Sequence, residues 1–143
     1  MSKLGTNKKT RIFIADDERW YLEGVKDALE SEGYEVIIES RMTGTRAIEI
    51  MRDPGSQIDI LILDIMMDPG PELAKILDNG TRTGVVVCKI IREEFPDVPI
   101  ICLTVVNDES IINQMVNMGC KVLRKTEVGI REILEAVRIA EKS

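Results

Sequence analysis

The chain has 143 residues, a length that suits one globular domain. Its residues are 44% hydrophobic and 31% charged, as in an ordinary water-soluble protein, and a net charge of −6 argues against non-specific binding to nucleic acid. The sequence contains no histidine, which excludes histidine-based catalysis and histidine metal sites, and it shows neither a signal peptide nor a membrane-spanning run. We therefore expect a cytoplasmic protein that binds neither nucleic acid nor a membrane.

Short apolar runs that read as buried strands recur along the chain. The first is "RIFIA" at 11–15, and the other predicted strands lie at 34–40, 58–64, 98–104 and 121–124. The polar residues 1–9 are expected to form a loose N-terminal segment that precedes a single domain at 10–143.

Helical patterns with one apolar face lie between these strands and after the last one. They are centred on Leu22 to Leu29, Ala47 to Met51, 84–95, 109–118 and Ile130 to Val137. Strands that alternate with helices in this way predict an α/β fold with a parallel sheet and helices on both faces.

The three cysteines, Cys88, Cys102 and Cys120, have no spacing typical of a metal site. All three lie in apolar surroundings. We interpret them as small buried hydrophobic residues of a protein in a reducing compartment.

Polar side chains stand where four of the five predicted strands end. Asp16 and Asp17 follow the first strand, Asp64 follows the third, Thr104 ends the fourth and Lys125 follows the fifth. Because ligands of such sheets bind at the carboxyl ends of the strands, we expect these five side chains to form one site.

The types of these residues indicate the chemistry of the site. Three carboxylates without a histidine or cysteine partner suit a hard cation, and Mg²⁺ is the natural choice. An ammonium group and a hydroxyl group beside them complete a site that can hold a phosphoryl group, and a carboxylate can itself be the nucleophile that accepts it.

The motifs "ADD" at 15–17, "LILDIMM" at 61–67, "ICLT" at 101–104 and "VLRK" at 122–125 resemble those of the receiver domain of two-component response regulators. The resemblance covers nearly the whole chain and matches residue types, strand ends and chain order. It implies a flavodoxin-like, doubly wound sheet of five parallel strands in the order 2-1-3-4-5.

The resemblance also implies a role for each acidic residue. Asp64 matches the residue that accepts the phosphoryl group. Asp17 and Asp64 match direct Mg²⁺ ligands, which are joined by the backbone carbonyl of Met66, and Asp16 matches a ligand that acts through water.

Two further residues match the part of the family site that responds to phosphorylation. Thr104 resembles the hydroxyl residue that turns toward the phosphoryl group, and Lys125 resembles the cation paired with it. The resemblance thus implies a phosphorylation-controlled switch rather than an enzyme, with autodephosphorylation as its only turnover.

The implied partners are a sensor histidine kinase or phosphotransfer protein, which supplies the phosphoryl group, and a downstream protein target. We see no output domain, so the response is expected to pass through that target. A phosphorylation-independent receiver-like interaction module is the alternative. An aspartate-nucleophile phosphatase would need a second aspartate where Met66 stands.

The sequence departs from the family pattern at four places. Val105 follows the threonine where a smaller residue is usual, Val122 replaces an aromatic residue, and Thr126 replaces a proline after the lysine. An insertion at about 67–83 separates Asp64 from Gly84, which resembles the glycine that opens the family's third helix. Within it, "PELAKILD" at 71–78 predicts a short amphipathic helix with Leu73, Ile76 and Leu77 on one face.

The segment "SIINQMVNMG" at 110–119 contains no charged residue. Its apolar arc includes Ile111, Ile112, Met115 and Val116 and is wider than one packed face requires. We therefore predict a partner or self-association surface here, including a homodimer through residues 110–119.

Overall fold

The computed structural model describes residues 8–77 and 83–142, apart from the side chains of Arg19 and Trp20. The strands are β1 (Arg11–Ala15), β2 (Glu35–Ile37), β3 (Ile60–Leu63), β4 (Ile100–Thr104) and β5 (Lys121–Arg124). They are parallel and form a sheet in the order β2-β1-β3-β4-β5. The helices are α1 (Arg19–Ser31), α2 (Gly44–Arg52), α3 (Gly70–Ala74), α4 (Thr83–Glu94), α5 (Glu109–Asn117) and α6 (Ile130–Glu141). The predicted fold class and strand order are confirmed.

None of these helices combines the length and the apolarity that a bilayer-spanning segment needs. Of the N-terminal segment predicted to be loose, residues 1–7 lie outside the described part of the chain. Thr10 already belongs to the fold, because it is buried and its hydroxyl donates a hydrogen bond to Glu141 Oε2 of α6 at 2.7 Å.

The sheet is covered on both faces, which explains why its central strands are apolar without interruption. Side chains alternate along each strand. Phe13 and Leu61 face a core formed with α2, α3, α4 and α5, whereas Ile12 and Ile62 face a second core formed with α1 and α6.

The strand register brings the functional ends of the strands together. Ala15 pairs with Leu63 across β1 and β3, so Asp16 and Asp64 follow directly at the same edge of the sheet. Thr104 pairs with Arg124 across β4 and β5, which places Lys125 at that edge as well.

The second strand is shorter than the sequence indicates. β2 lies at the edge of the sheet and pairs with β1 over only three residues, whereas a strand over 34–40 is predicted. The chain then turns through Arg41, whose φ of 57° lies in the left-handed region.

The insertion contains a helix, but a shorter one than predicted. α3 spans five residues with Pro71 in its first turn and ends before Ile76. Leu73 is buried as predicted, whereas Ile76 is 69% exposed, so the prediction was wrong for Ile76. A five-residue helix is too short to keep all three apolar residues on one face. The predicted end of this helix falls in residues 78–82, which are outside the described residues.

The start of the insertion is fixed to α2 by backbone hydrogen bonds. Gly44 N donates to Asp68 O and Thr45 N donates to Pro69 O, both at 2.9 Å. Gly70 has a φ of 80°, and a side chain there would come within 2.8 Å of the hydroxyl oxygen of Thr45. The insertion therefore packs on its own domain over its described part.

The apolar arc of α5 lies mainly inside the domain. Ile111, Ile112 and Met115 are buried in the core or at its margin, and Val116, 51% exposed, is the outward-facing member of the arc. Ile112 and Met115 are therefore not outward-facing contacts of the predicted interaction surface, and Met115 belongs to the core that α5 shares with α4 and the sheet.

Candidate functional site

Three carboxylates converge at the edge of the sheet where β1 and β3 end. One oxygen from each of Asp16, Asp17 and Asp64 lies within 4.8 Å of those from the other two. Asp16 is 1% exposed and Asp64 is 4% exposed, whereas Asp17 faces the surface. The structure thus brings the predicted acidic residues into one cluster that opens to solvent on one side.

Lys125 inserts its ammonium group into this cluster. Its Nζ lies 2.8 Å from Asp16 Oδ2 and 3.6 Å from Asp64 Oδ2, and it also contacts Glu18 Oε1. The Lys125 side chain is almost fully enclosed, and its Nζ lies 5.0 Å from the centre of the Tyr21 ring. The lysine is therefore paired more closely with Asp16 and Glu18 than with Asp64.

The backbone positions Lys125 without the proline that usually follows in the family. Lys125 N donates to Thr104 O at 2.8 Å, which extends the β4–β5 ladder by one residue. Glu127 N then donates to Arg124 O at 2.9 Å and closes a turn around Thr126. The ladder and this turn hold the lysine over the carboxylates.

Thr104 is fully buried at the end of β4, the strand next to β3. Its Oγ1 accepts a hydrogen bond from Val106 N at 3.0 Å, which leaves the hydroxyl hydrogen available as a donor. Of the two valines that depart from the family pattern, Val105 is exposed and Val122 is partly buried.

The charges of the cluster shift the pKa of its members. Burial, followed by the charge of Asp16, raises the pKa of Asp64 to about 7 despite the opposing charge of Lys125. Burial and the charge of Asp16 also raise the pKa of Asp17. Burial disfavours the charged form of Lys125, but its hydrogen bonds to Asp16 and Glu18 outweigh this and raise its pKa. The carboxylates of this cluster therefore outnumber the positive charge that Lys125 supplies.

The donor atoms fit magnesium. They are all oxygens, and among the described ion pairs of the cluster Lys125 is shared by Asp16, Glu18 and Asp64. Hard divalent cations prefer such oxygen ligands, and a second positive centre would relieve the repulsion between the carboxylates.

Met66, the residue whose carbonyl is predicted as a further ligand, lies in the turn after β3. Its backbone N–H donates to Asp64 Oδ1 at 3.1 Å. This bond orients the Asp64 carboxylate, while the ligand role of the Met66 carbonyl stays a prediction.

A cavity of about 350 Å³ lies beside the cluster and provides an approach to it. Its lining residues are Asp16, Asp17, Leu22, Ile38, Glu39, Ser40 and Arg41. The loop after β2 thus forms one wall of the site. We did not predict this loop or Glu18 as part of the site, although the run "DDE" at 16–18 offered a signal for Glu18.

Gly84 allows α4 to begin against the backbone that carries Asp64. A Cβ atom at Gly84 would lie 2.4 Å from Ile65 Cα and 2.5 Å from Asp64 O, and Gly84 N donates to Ile65 O at 2.8 Å. Any side chain at this position would collide with main-chain atoms. Gly84, the residue that follows the insertion, is therefore held against the backbone of Asp64 and Ile65 although the insertion is long.

Comparisons with known proteins agree with this geometry. The family model "Response regulator receiver domain" matches residues 12–138. The transcriptional regulatory protein DegU of Brevibacillus brevis is 24% identical over 139 residues, which are 97% of this chain and 53% of that protein. The heme response regulator HssR of Staphylococcus saprophyticus is 34% identical over 95 residues, 66% of this chain and 35% of that protein. The chain thus spans about half or less of the length of these relatives.

Solved structures show the same fold. A receiver domain protein from Methanospirillum hungatei superposes with a TM-score of 0.75 at 23% identity, covering 94% of this chain and 95% of that one. A receiver domain protein from Clostridium thermocellum gives a TM-score of 0.74 at 26% identity, covering 93% and 94% of the two chains. With the family model matching most of its length, this chain belongs to the response regulator receiver domain family.

Proposed function

We propose that this receiver domain accepts a phosphoryl group on Asp64, with Mg²⁺ bound, and thereby changes its binding to a protein partner. Phosphorylation of an aspartate is the general feature of the family. The observation that supports Asp64 as the acceptor is its place in the acidic cluster, beside Lys125 and directly after β3.

In this proposal the carboxylate of Asp64 attacks the phosphorus atom of the donor, and the bond between phosphorus and the donor's leaving group breaks. Met66 N donates to Asp64 Oδ1, so the reacting oxygen in this proposal is Oδ2, which lies 3.6 Å from Lys125 Nζ. Asp17, Asp64 and the Met66 carbonyl would hold Mg²⁺ directly and Asp16 would hold it through water. The bound ion would supply positive charge to neutralise the phosphoryl oxygens. Lys125 supplies a second positive charge from the other side.

Thr104 is the residue through which we expect the change at Asp64 to spread. Its hydroxyl hydrogen can donate to a phosphoryl oxygen, while its Oγ1 already accepts from Val106 N. A movement of the hydroxyl would pull on the segment from Val105 to Asp108, which leads into α5. Asp108 caps α5 by accepting from Ser110 N at 2.9 Å, so the helix start would follow.

The proposed donor is a sensor histidine kinase or a phosphotransfer protein, and the proposed receiver of the signal is a protein target in the cytoplasm. The relatives include transcriptional regulators, and any contact with DNA is a property of those proteins. Because the chain carries a net charge of −6, we do not include nucleic acid among its proposed partners. Self-association through 110–119 stays a prediction, with exposed Val116 as its apolar contact.

Acetyl phosphate, a small phosphoryl donor, provides the test. Incubation of the chain with acetyl phosphate and Mg²⁺ should add the mass of one phosphoryl group, and removal of the metal with EDTA should prevent it. Borohydride reduction followed by peptide mapping should locate the group at Asp64. No mass gain, or a phosphoryl group on another residue, would overturn the proposal.

Glu18 is predicted to restrain Lys125 in the resting site. The glutamate contacts Lys125 Nζ, and together with Asp16 it draws the ammonium group away from Asp64. Glu18→Gln removes one of these competing charges and should speed phosphoryl incorporation from acetyl phosphate. Because the Glu18 side chain is 40% exposed, the gain should be modest, roughly two- to fivefold.

The matched control for this variant is Glu127→Gln. Glu127 is also an exposed glutamate, and it lies two residues after Lys125 in the turn that follows β5. The control should leave the rate unchanged. A rate in Glu18→Gln that equals or falls below the wild-type rate would show that the glutamate does not compete for the lysine.

A further inference from the structure

Two of the three cysteines touch each other in the core. Cys88 Sγ of α4 lies 3.2 Å from Cys120 Sγ, which stands just before β5. The residues are 32 positions apart in the sequence, and both are present as free thiols. Their spacing along the chain gives no sign of this contact, which the packing of α4 against the end of α5 creates.

The backbone of Cys120 is fixed by the end of α5. Cys120 N donates to Met115 O at 3.1 Å and Gly119 N donates to Val116 O at 2.9 Å, which together form a Schellman motif. Gly119 has the left-handed φ of 85° that this motif requires. Cys120 therefore moves with the C-terminal end of α5.

Cys88 belongs to the face of α4 that holds this helix end. One turn further along α4, Arg92 Nε donates to Met118 O at 2.9 Å and an Arg92 terminal nitrogen donates to Val98 O at 2.7 Å. Cys88 and Arg92 thus both contact the C-terminal end of α5, and these contacts keep Cys120 Sγ next to Cys88 Sγ.

The two thiols differ in exposure and in the direction in which their surroundings shift the pKa. The hydrogen bond with Cys88 and the nearby guanidinium of Arg92 lower the pKa of Cys120 despite its burial. The same hydrogen bond and burial raise the pKa of Cys88. Cys120 is also 7% exposed, whereas Cys88 is fully enclosed. Cys120 is therefore the thiol that an oxidant would reach and attack first.

We propose that Cys88 and Cys120 form a redox modification site at which a peroxide generates an intramolecular disulfide. Thiolate character, partial access and a resolving thiol in contact are the features that favour this reaction. The sulfurs already lie 3.2 Å apart, and a disulfide bond requires them to approach to about 2.0 Å.

The reaction takes place in two balanced steps. The thiolate of Cys120 attacks one oxygen of hydrogen peroxide, the O–O bond breaks, and the sulfenic acid forms. The other oxygen leaves as hydroxide and takes up the proton that the Cys120 thiol released, which gives water. The Cys88 sulfur then attacks the Cys120 sulfur, the S–O bond breaks, and the hydroxyl group leaves as water with the thiol proton of Cys88. In total, two thiols lose two hydrogens and one peroxide becomes two waters.

The disulfide would fasten α4 covalently to the end of α5. Formation of this disulfide does not involve Asp64, so it is independent of the proposed phosphorylation. Because the bond closes a long loop in the unfolded chain, the oxidised protein should melt at a higher temperature than the reduced protein.

The test is peptide mapping of the full chain under non-reducing conditions after treatment with hydrogen peroxide in slight excess. The expected result is a loss of two hydrogens from the intact mass and a linked peptide pair that contains Cys88 and Cys120, both reversed by dithiothreitol. The melting temperature of the oxidised sample should exceed that of the reduced one.

Cys102→Ala is the matched control, because Cys102 is fully buried in β4 and burial raises the pKa of its thiol. This variant should form the same linked pair, whereas Cys120→Ala should lose it. A pair that includes Cys102, a disulfide between two chains, or oxidation of Cys120 to sulfinic acid without a link would each overturn the proposal. The wild-type peptide map decides the matter even if a variant fails to fold.

Discussion

Replacing Asp64 by asparagine is expected to abolish phosphoryl incorporation and, without magnesium, to stabilise the fold. The first effect follows because the amide cannot act as the nucleophile in place of the carboxylate. The second follows because Asp64 is 4% exposed and its charge lies beside those of Asp16 and Asp17. Asparagine keeps the shape and an oxygen that can accept from Met66 N, but it removes one of the repelling charges.

The stabilising effect should depend on pH in a defined direction. The pKa of Asp64 is about 7 in the folded, metal-free protein, against an ordinary value of 3.8. The folded state therefore binds more protons than the unfolded state between these values, and stability falls as pH rises through this range. The asparagine variant lacks this loss, so its advantage should be absent near pH 4 and reach roughly 1–3 kcal/mol above pH 7.

Thermal unfolding with EDTA, repeated at several pH values, measures this difference. Asp97→Asn is the matched control, because Asp97 is exposed in the turn before β4, at the opposite end of this strand from Thr104. Added Mg²⁺ should raise the melting temperature of the wild type more than that of Asp64→Asn. A variant that is less stable than the wild type at neutral pH without metal would show that the Asp64 charge is already compensated.

The order of strands and helices could be predicted because the continuous apolar runs of the strands are clearly separated from the amphipathic patterns of the helices. "ILIL" in β3 and "IICLT" in β4 are fully buried and carry no polar side chain until the last residue. The polar residues at their ends then locate the site, because parallel strands finish at a common edge. Asp16, Asp64 and Lys125 meet as this rule predicts.

The parts that could not be predicted depend on contacts between distant segments. Glu18 follows the first strand closely, but its pairing with Lys125 requires knowledge of where the lysine side chain turns. The burial of Ile112 and Met115 reflects how deeply α5 sits against α4, which a helical wheel does not reveal. The contact between Cys88 and Cys120 arises in the same way.

Replacing Gly84 by alanine is expected to destabilise the protein and to impair its phosphorylation together. The new methyl carbon would lie 2.4 Å from Ile65 Cα and 2.5 Å from Asp64 O. Both neighbours are main-chain atoms, so either the start of α4 or the turn that carries Asp64 has to move. Alanine favours a helix by about 1 kcal/mol over glycine, but the collision should outweigh this gain and leave a net loss of about 1–3 kcal/mol. Displacement of the acceptor should slow phosphoryl incorporation on the order of tenfold.

The matched control for Gly84→Ala is Gly24→Ala, the same substitution within another helix. Gly24 is exposed in α1, and an added Cβ there would meet no atom within 4 Å. The control should therefore raise stability by about 0.5–1 kcal/mol and leave phosphorylation unchanged. Chemical denaturation and acetyl phosphate labelling of the two variants measure both effects. The changes in stability of the two variants are expected to have opposite signs. At Gly24 only the higher helix propensity of alanine acts, whereas at Gly84 a collision with the backbone outweighs it. If both variants gained stability, α4 would have room to shift, and close packing on the Asp64 backbone would not be what requires glycine at this position.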